Sequence, residues 1–207
     1  MSDMWSTVAA ERGALAADLA DLSDQQWETP SLCDGWTVRE VLAHQTGTAS
    51  MSTPKFLTRM AAAGFRFPVF ANREIQRHLG DSPGATLSEF RDKQHSTSCP
   101  PGPKLSWLGE VIVHSEDIRR PLGIRHDYPP AAVRQVLDFY KGSNTLIGTK
   151  SRIADLRLTA TDDDWNHGAG PTVEGRLIDL LMAATGRGVA CDSLAGDGVS
   201  TLRLRCS

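Results

Sequence analysis

Apolar residues recur at three- and four-residue intervals through the first two thirds of the chain, and at two-residue intervals beyond. From Trp5, the positions Val8, Leu15, Ala16, Leu19 and Leu22 fall on one helical stripe. Trp27 to Trp36 carries Pro30, Cys33 and Gly35 and reads as a structured loop. Thr37-Val38-Arg39-Glu40 has the form of a capping box, with Trp36 and Val41 placed as a hydrophobic staple. A helix is therefore expected from Thr37 to about Met51. Further helices are predicted over Phe67–Leu79, from a second box at Thr86-Leu87-Ser88-Glu89, and over Leu105–Arg120. Cys99-Pro100-Pro101-Gly102-Pro103 separates the last two. Another helix follows Pro129-Pro130 and shows the stripe Val133, Val136, Leu137 and Tyr140.

After Ser151 the period changes. Leu156, Leu158 and Ala160 alternate with polar residues as in a half-buried strand. A turn at Asp162–Asp164, a short strand at Asp164–Asn166 and a loop at Gly168–Pro171 are expected next. Val173–Thr185 reads as one apolar helix closed by Gly186, and Leu202, Leu204 and Cys206 as a last strand. The helix should bury Leu177, Leu180, Leu181 and Ala184 against a sheet holding Leu156, Leu158, Leu202 and Leu204. The fold class is mainly α: a helical bundle over residues 1–150, followed by a small α+β domain over residues 151–207.

Composition narrows the function classes. The 207 residues are 40% hydrophobic and 23% charged, ordinary for a globular chain, with a net charge of -3. That balance speaks against gripping nucleic acid or an anionic membrane through bulk charge. The one compact basic group is Arg119, Arg120, Arg125 and His126, read as a solvated helix end. No stretch approaches the roughly 20 apolar residues of a membrane span. No basic leader precedes an apolar core at the start, and the four cysteines (Cys33, Cys99, Cys191 and Cys206) form no Cys-x-x-Cys pair. A reduced, cytoplasmic protein is expected.

Phosphate-loop, dinucleotide, nucleophile-elbow and His-Glu-x-x-His motifs are all missing from the sequence. What remains is histidine and carboxylate. A carboxylate four residues before a histidine shares its helix face and can seat a metal. Chance alone gives roughly 0.7 such pairs at this composition, yet four occur: Glu40/His44, Glu74/His78, Glu110/His114 and Asp163/His167. Glu40 already serves the capping box. Glu74 and His78 lie in a polar stretch that reads as salt-bridged, and Asp163/His167 falls in a turn. Glu110 and His114 stand among Val111, Ile112, Val113 and Ile118, where a lone carboxylate is costly. His44, beside Val41 and Leu42, could join them in a three-ligand site within the bundle. Hydrogen-bonded pairs, His44–Glu110 or His114–Asp117, fit the same residues. Cys33 has no basic neighbour in sequence and reads as a small buried thiol rather than a nucleophile. Trp27 and Trp36 read as closing the bundle end.

The run Pro30-Ser31-Leu32-Cys33-Asp34-Gly35-Trp36-Thr37-Val38-Arg39-Glu40-Val41-Leu42-Ala43-His44 resembles the signature of the mycothiol-dependent maleylpyruvate isomerase-like family, part of the wider DinB-like metal-binding superfamily. The run from Glu110 to Gly123 is similar to its second motif. Ala160-Thr161-Asp162, Trp165, Gly168-Ala169-Gly170-Pro171 and the stretch Leu180 to Arg187 resemble motifs of its C-terminal domain. The resemblance implies a DinB-like four-helix bundle and a sterol-carrier-like α+β domain. It implies a divalent metal, usually zinc, on His44, Glu110 and His114, with mycothiol as the thiol cofactor. The founding reaction is cis–trans isomerisation of maleylpyruvate, assisted by a C-terminal arginine for which Arg187 is the positional candidate. Residues 52–103 match no motif and should line the substrate pocket.

These readings converge on a metal-dependent enzyme that uses a low-molecular-weight thiol on a small electrophile, by isomerisation or thiol transfer. The partners are then that thiol and a small-molecule substrate, with no nucleic acid and no membrane. The alternatives are a non-catalytic metal- or small-ligand-binding protein and a metal-assisted hydrolase.

Overall fold

The computed structural model describes residues 4–145 and 147–206. Residues 1–3, where the start of the chain was read for a leader, lie outside them. Two compact units divide between His126 and Asp127.

The first unit contains α1 (Met4–Asp18), α2 (Asp24–Trp27), α3 (Val38–Ala49), α4 (Thr53–Ala62), α5 (Phe67–His78), α6 (Pro83–Asp92) and α7 (Lys104–Arg119). Helices α1, α7, α3 and α6 pack in a closed cycle, each on the next, and α5 lies along α3. The three-four periodicity predicted a helical bundle, and the four-helix form is the one the resemblance implies. Leu15, Leu19, Val38, Val41, Leu42, Phe90 and Ile118 are fully buried in one cluster. Each such side chain contributes about 1.5–3 kcal/mol on leaving water. Trp27 joins the same cluster and does close the bundle interior.

The start of α3 follows the sequence signal. Glu40 Oε2 accepts the Thr37 amide at 2.8 Å, and Thr37 Oγ1 accepts the Glu40 amide at 3.3 Å. The second box is different. Helix α6 begins at Pro83 with Ser82 as N-cap, whose hydroxyl accepts the Ala85 amide at 3.2 Å. Pro83 is pre-shaped for the first helical position, so the helix starts a turn early. Thr86 is buried within it, and its hydroxyl donates to the Ser82 carbonyl at 3.1 Å. Helix α4, which the sequence reading did not predict, opens after Ser52 with Pro54 in its first turn.

The basic group at the end of α7 is not a solvated helix end. Arg119 is 0% exposed, and its Nε donates to Asp18 Oδ2 at 2.7 Å. Arg120 pairs with Glu116 at 2.7 Å. A guanidinium desolvated in a bundle needs a carboxylate partner, and the partner comes from 101 residues away in sequence.

The second unit holds α8 (Pro130–Tyr140), α9 (Thr149–Arg152), β1 (Arg157–Ala160), β2 (Asn166–His167), β3 (Thr172–Gly175), α10 (Leu177–Ala184), a 3-10 turn (Gly188–Ser193) and α11 (Val199–Leu204). The sheet order is β2-β1-β3, antiparallel between β1 and β2, parallel between β1 and β3, with Leu158 opposite His167 and Val173. Helix α8 has the bundle's periodicity but packs on α10. The change of period at Ser151 therefore falls inside this unit rather than at its edge.

Two expectations fail here. Val173 does not open a helix. Thr172–Gly175 alternates in burial as a strand, and α10 begins only at Leu177, whose amide is capped by Asp162 Oδ1 at 2.8 Å. Leu202, Leu204 and Cys206 do not form a strand. Ala195 already bridges β3 at Glu174, so the following chain turns away into α11. Leu202 is buried there, while Leu204 is 80% exposed. Leu177, Leu180, Leu181 and Ala184 are buried as expected. Gly168 and Gly170 have φ of +80° and +124°, and a Cβ on either would run into the Leu156 or Asp155 carbonyl oxygen. The Gly-Ala-Gly-Pro motif is thus the close crossing that returns the chain to β3.

Candidate metal centre

Helix α3 brings His44 to α7, which carries Glu110 and His114. His44 Nε2 lies 3.9 Å from Glu110 Oε1, beyond hydrogen-bond reach. The His44 and His114 rings meet edge to face with centroids 5.1 Å apart. On the other side of His114, Nδ1 lies 2.9 Å from Asp117 Oδ2. Asp117 is 0% exposed.

Burial sets the charges. It drives His44 down to about 3, reinforced by the neighbouring His114, so His44 is a neutral nitrogen donor. It pushes Glu110 up to about 7, against the attraction of His114. Burial would lower His114 as well, but hydrogen bonding to Asp117 and Cys33 prevails and lifts it to about 10. Glu110 also opposes the burial that lowers the guanidinium of Arg12, a buried α1 residue that fastens the segment after α6. Arg12 Nη1 donates there to the carbonyls of Lys93 at 3.2 Å and Ser96 at 2.8 Å.

The pair in this centre whose spacing a divalent cation could bridge is His44 and Glu110. Glu110 Oε2 is buried with no hydrogen-bond partner. Burial still holds the Glu110 carboxyl at about 7 although His114 and Arg12 both oppose it, so added positive charge at Oε2 would be favourable. Two donors about 2.0–2.2 Å from one ion stand roughly 3–4 Å apart, and the His44–Glu110 separation of 3.9 Å lies in that span. Of the two hydrogen-bonded pairs the sequence left open, His114–Asp117 is formed and His44–Glu110 is not.

The other carboxylate–histidine spacings resolve differently. Glu40 caps α3. Glu74 pairs with Arg59 and with Arg77, while His78 Nδ1 lies 2.6 Å from Glu89 instead. Asp163 takes Arg134 at 3.0 Å. Arg187 belongs to the second unit, where its Nη1 donates to the Thr185 carbonyl at 3.0 Å.

Sequence reasoning missed Cys33. Its Sγ lies 3.5 Å from His114 Nδ1 and 3.1 Å from Asp117 Oδ2, across 81 and 84 residues. No local spacing announces such a contact. Among the described residues, Cys33, His114 and Asp117 are the one group of three potential ligands whose donor atoms all lie within 4.8 Å of one another; His44, Glu110 and His114 do not converge that closely as a set. Trp36 packs against the bundle cluster, and its ring also lies 5.1 Å from that of His44.

A closed four-helix bundle with histidines and carboxylates meeting in its interior, followed by a small α/β unit, defines the class of helical bundles built around a polar centre. Residues 8–98 match the sequence profile described as mycothiol maleylpyruvate isomerase N-terminal domain. A crystal structure of a histidine-to-alanine mutant of the mycothiol-dependent maleylpyruvate isomerase superposes with a TM-score of 0.65 at 16% identity, covering 94% of this chain and 91% of that one. A second structure of the mycothiol-dependent maleylpyruvate isomerase gives 0.61 at 18% identity over the same shares. At that identity the likeness is one of fold. No curated protein matches the sequence significantly. Among the described residues, no helix is long and apolar enough to cross a membrane.

Proposed function

We propose that the protein is a divalent-metal enzyme, with zinc on His44, Glu110 and His114, that uses a low-molecular-weight thiol of the mycothiol type on a small electrophilic substrate. The observation that carries this reading is the His44–Glu110 approach at 3.9 Å beside the buried, unpartnered Glu110 Oε2. The names of the family profile and of both similar structures support the thiol and the isomerase reaction.

The cation would supply the positive charge that ionises a thiol near neutral pH. The protein's own residues prepare for it. Burial keeps His44 neutral, so its nitrogen is available without first losing a proton. Asp117 accepts from His114 Nδ1, which leaves Nε2 as the nitrogen that would give up its proton to a cation. His44, Glu110 and His114 keep side-chain exposures of 17%, 11% and 18%, so the centre is open to a small thiol. Addition of the thiolate to a conjugated double bond, rotation and elimination returns the thiol and the trans isomer. Arg187 is proposed as the residue assisting the substrate.

The test combines metal content with thiol-dependent turnover of maleylpyruvate. Wild type should carry about one equivalent of zinc and His114→Ala almost none, with turnover only when thiol is added. Equal metal in wild type and in His44→Ala, Glu110→Ala and His114→Ala would move the site elsewhere. Stoichiometric metal without thiol-dependent turnover would favour the binding-protein reading.

A further inference from the structure

The Thr29–Thr37 loop is more than a connection between α2 and α3. Pro30 and Thr37 form a β-bridge, and the Val38 amide donates to the Thr29 carbonyl at 2.9 Å. Inside it, the Ser31 hydroxyl donates to the Trp36 carbonyl at 2.7 Å, and the Trp36 amide donates to the Cys33 carbonyl at 3.0 Å. Gly35, at φ +76°, makes the reversal. The loop is thus closed by its own hydrogen bonds. It docks on α7 at Asp117, twice: the Leu32 amide donates to the Asp117 carbonyl at 3.1 Å, and the Cys33 thiol donates to Asp117 Oδ2 at 3.1 Å.

We infer that Cys33 is a positioning residue for His114, acting through Asp117, so that the loop rather than α7 alone fixes the ring. Asp117 Oδ2 accepts from His114 Nδ1 and from the Cys33 thiol together. A carboxylate pinned at main chain and side chain cannot swing with its own helix turn, and the imidazole it holds keeps one orientation. The same loop lays Trp36 against His44, so one rigid segment braces both histidines. This role rests on the metal reading above. It also separates Cys33 from the metal itself. A cation bound by Cys33 would require the thiol proton to leave and the Cys33–Asp117 hydrogen bond to be lost. It would also take Nδ1 of His114, the atom Asp117 already holds.

The experiment measures zinc affinity by chelator competition in wild type, Cys33→Ala and Cys33→Ser, and absorption of the cobalt-substituted proteins. Cys33→Ala should weaken zinc binding about tenfold, the lower end of the effect of outer-shell partners. Cys33→Ser, which keeps a hydrogen-bond donor, should stay close to wild type, and it serves where the alanine variant folds poorly. Cobalt spectra should lack thiolate-to-metal charge transfer. Such a band in wild type, lost in Cys33→Ser, would make Cys33 a ligand and overturn the inference. Unchanged zinc affinity in Cys33→Ala, or equal loss in both variants, would overturn it too. A wild type that binds no zinc would overturn the metal reading and this role with it, whereas tight zinc binding indifferent to Cys33 would overturn this role alone.

Discussion

His114 Nδ1 lies 2.9 Å from the Oδ2 of Asp117, three residues further along α7 and wholly buried. A carboxylate buried this way is retained by what it holds, because it pays a desolvation cost that hydrogen bonds only partly offset. Asp117→Ala should weaken metal binding about 10–100-fold, as measured by chelator competition, with the helix content unchanged by circular dichroism. Wild-type affinity in that variant would mean that the contact serves the fold alone.

The Asp18–Arg119 pair ties α1 to α7, with Arg119 at 0% side-chain exposure and Asp18 at 29%. Removing the carboxylate takes an ion-pair partner from a wholly buried cation. Asp18→Ala should destabilise the bundle by about 3 kcal/mol, the low end for a broken buried pair because Asp18 is partly wetted. Adding Arg119→Met should restore most of that loss in a thermal melt. A double variant no more stable than the single one would show that Arg119 acts through its packing rather than its charge.

Local signals carried the bundle: the Thr37–Glu40 box, the Val38/Val41/Leu42 stripe and the apolar surroundings of Glu110 and His114 are each written within a few residues. Chain-distant partners were not legible, and Arg119 and Cys33 show why. A basic helix end looks solvated until Asp18 arrives from another helix, and a thiol between two tryptophans looks inert until the loop folds onto α7. Alternation misled at Leu202–Cys206 for a related reason. A five-residue segment fits a strand or a short helix, and the bridge of Ala195 to β3 leaves the following chain to form the helix. At Val173 the apolar run of a buried parallel strand merged with the helix behind it, an ambiguity that periodicity alone leaves open.

Gly170 offers a test of the second unit by itself. Its φ of +124° is hostile to a side chain, and a Cβ would meet the Asp155 carbonyl oxygen. Gly170→Ala should cost more than about 1–3 kcal/mol, since strain and collision add. Amide exchange should rise in β1 and β3 and stay unchanged in α3 and α7. A variant with wild-type protection in β1 and β3 would refute the crossing as the motif's purpose.

Glu110 gives a prediction in which stability and binding move in opposite directions. Burial raises its carboxyl from 4.5 to about 7 in the folded, metal-free protein. A folded-state pKa above the unfolded one means that the native state holds the proton longer. Stability from this group is therefore fully present below about 4.5 and is lost as pH rises through about 7. Glu110→Gln removes the ionisation while keeping size and polarity. In chelator-treated protein at pH 8 the variant should be more stable than wild type by about 1–3 kcal/mol, and the two should converge near pH 4.5. Zinc binding should fall sharply in the same variant, because a neutral amide oxygen replaces the anionic ligand. Urea titrations at the two pH values, paired with zinc competition, measure both effects. A Glu110→Gln protein that loses apo stability at pH 8 would mean that the carboxylate is already compensated within the bundle, and that its burial calls for no cation.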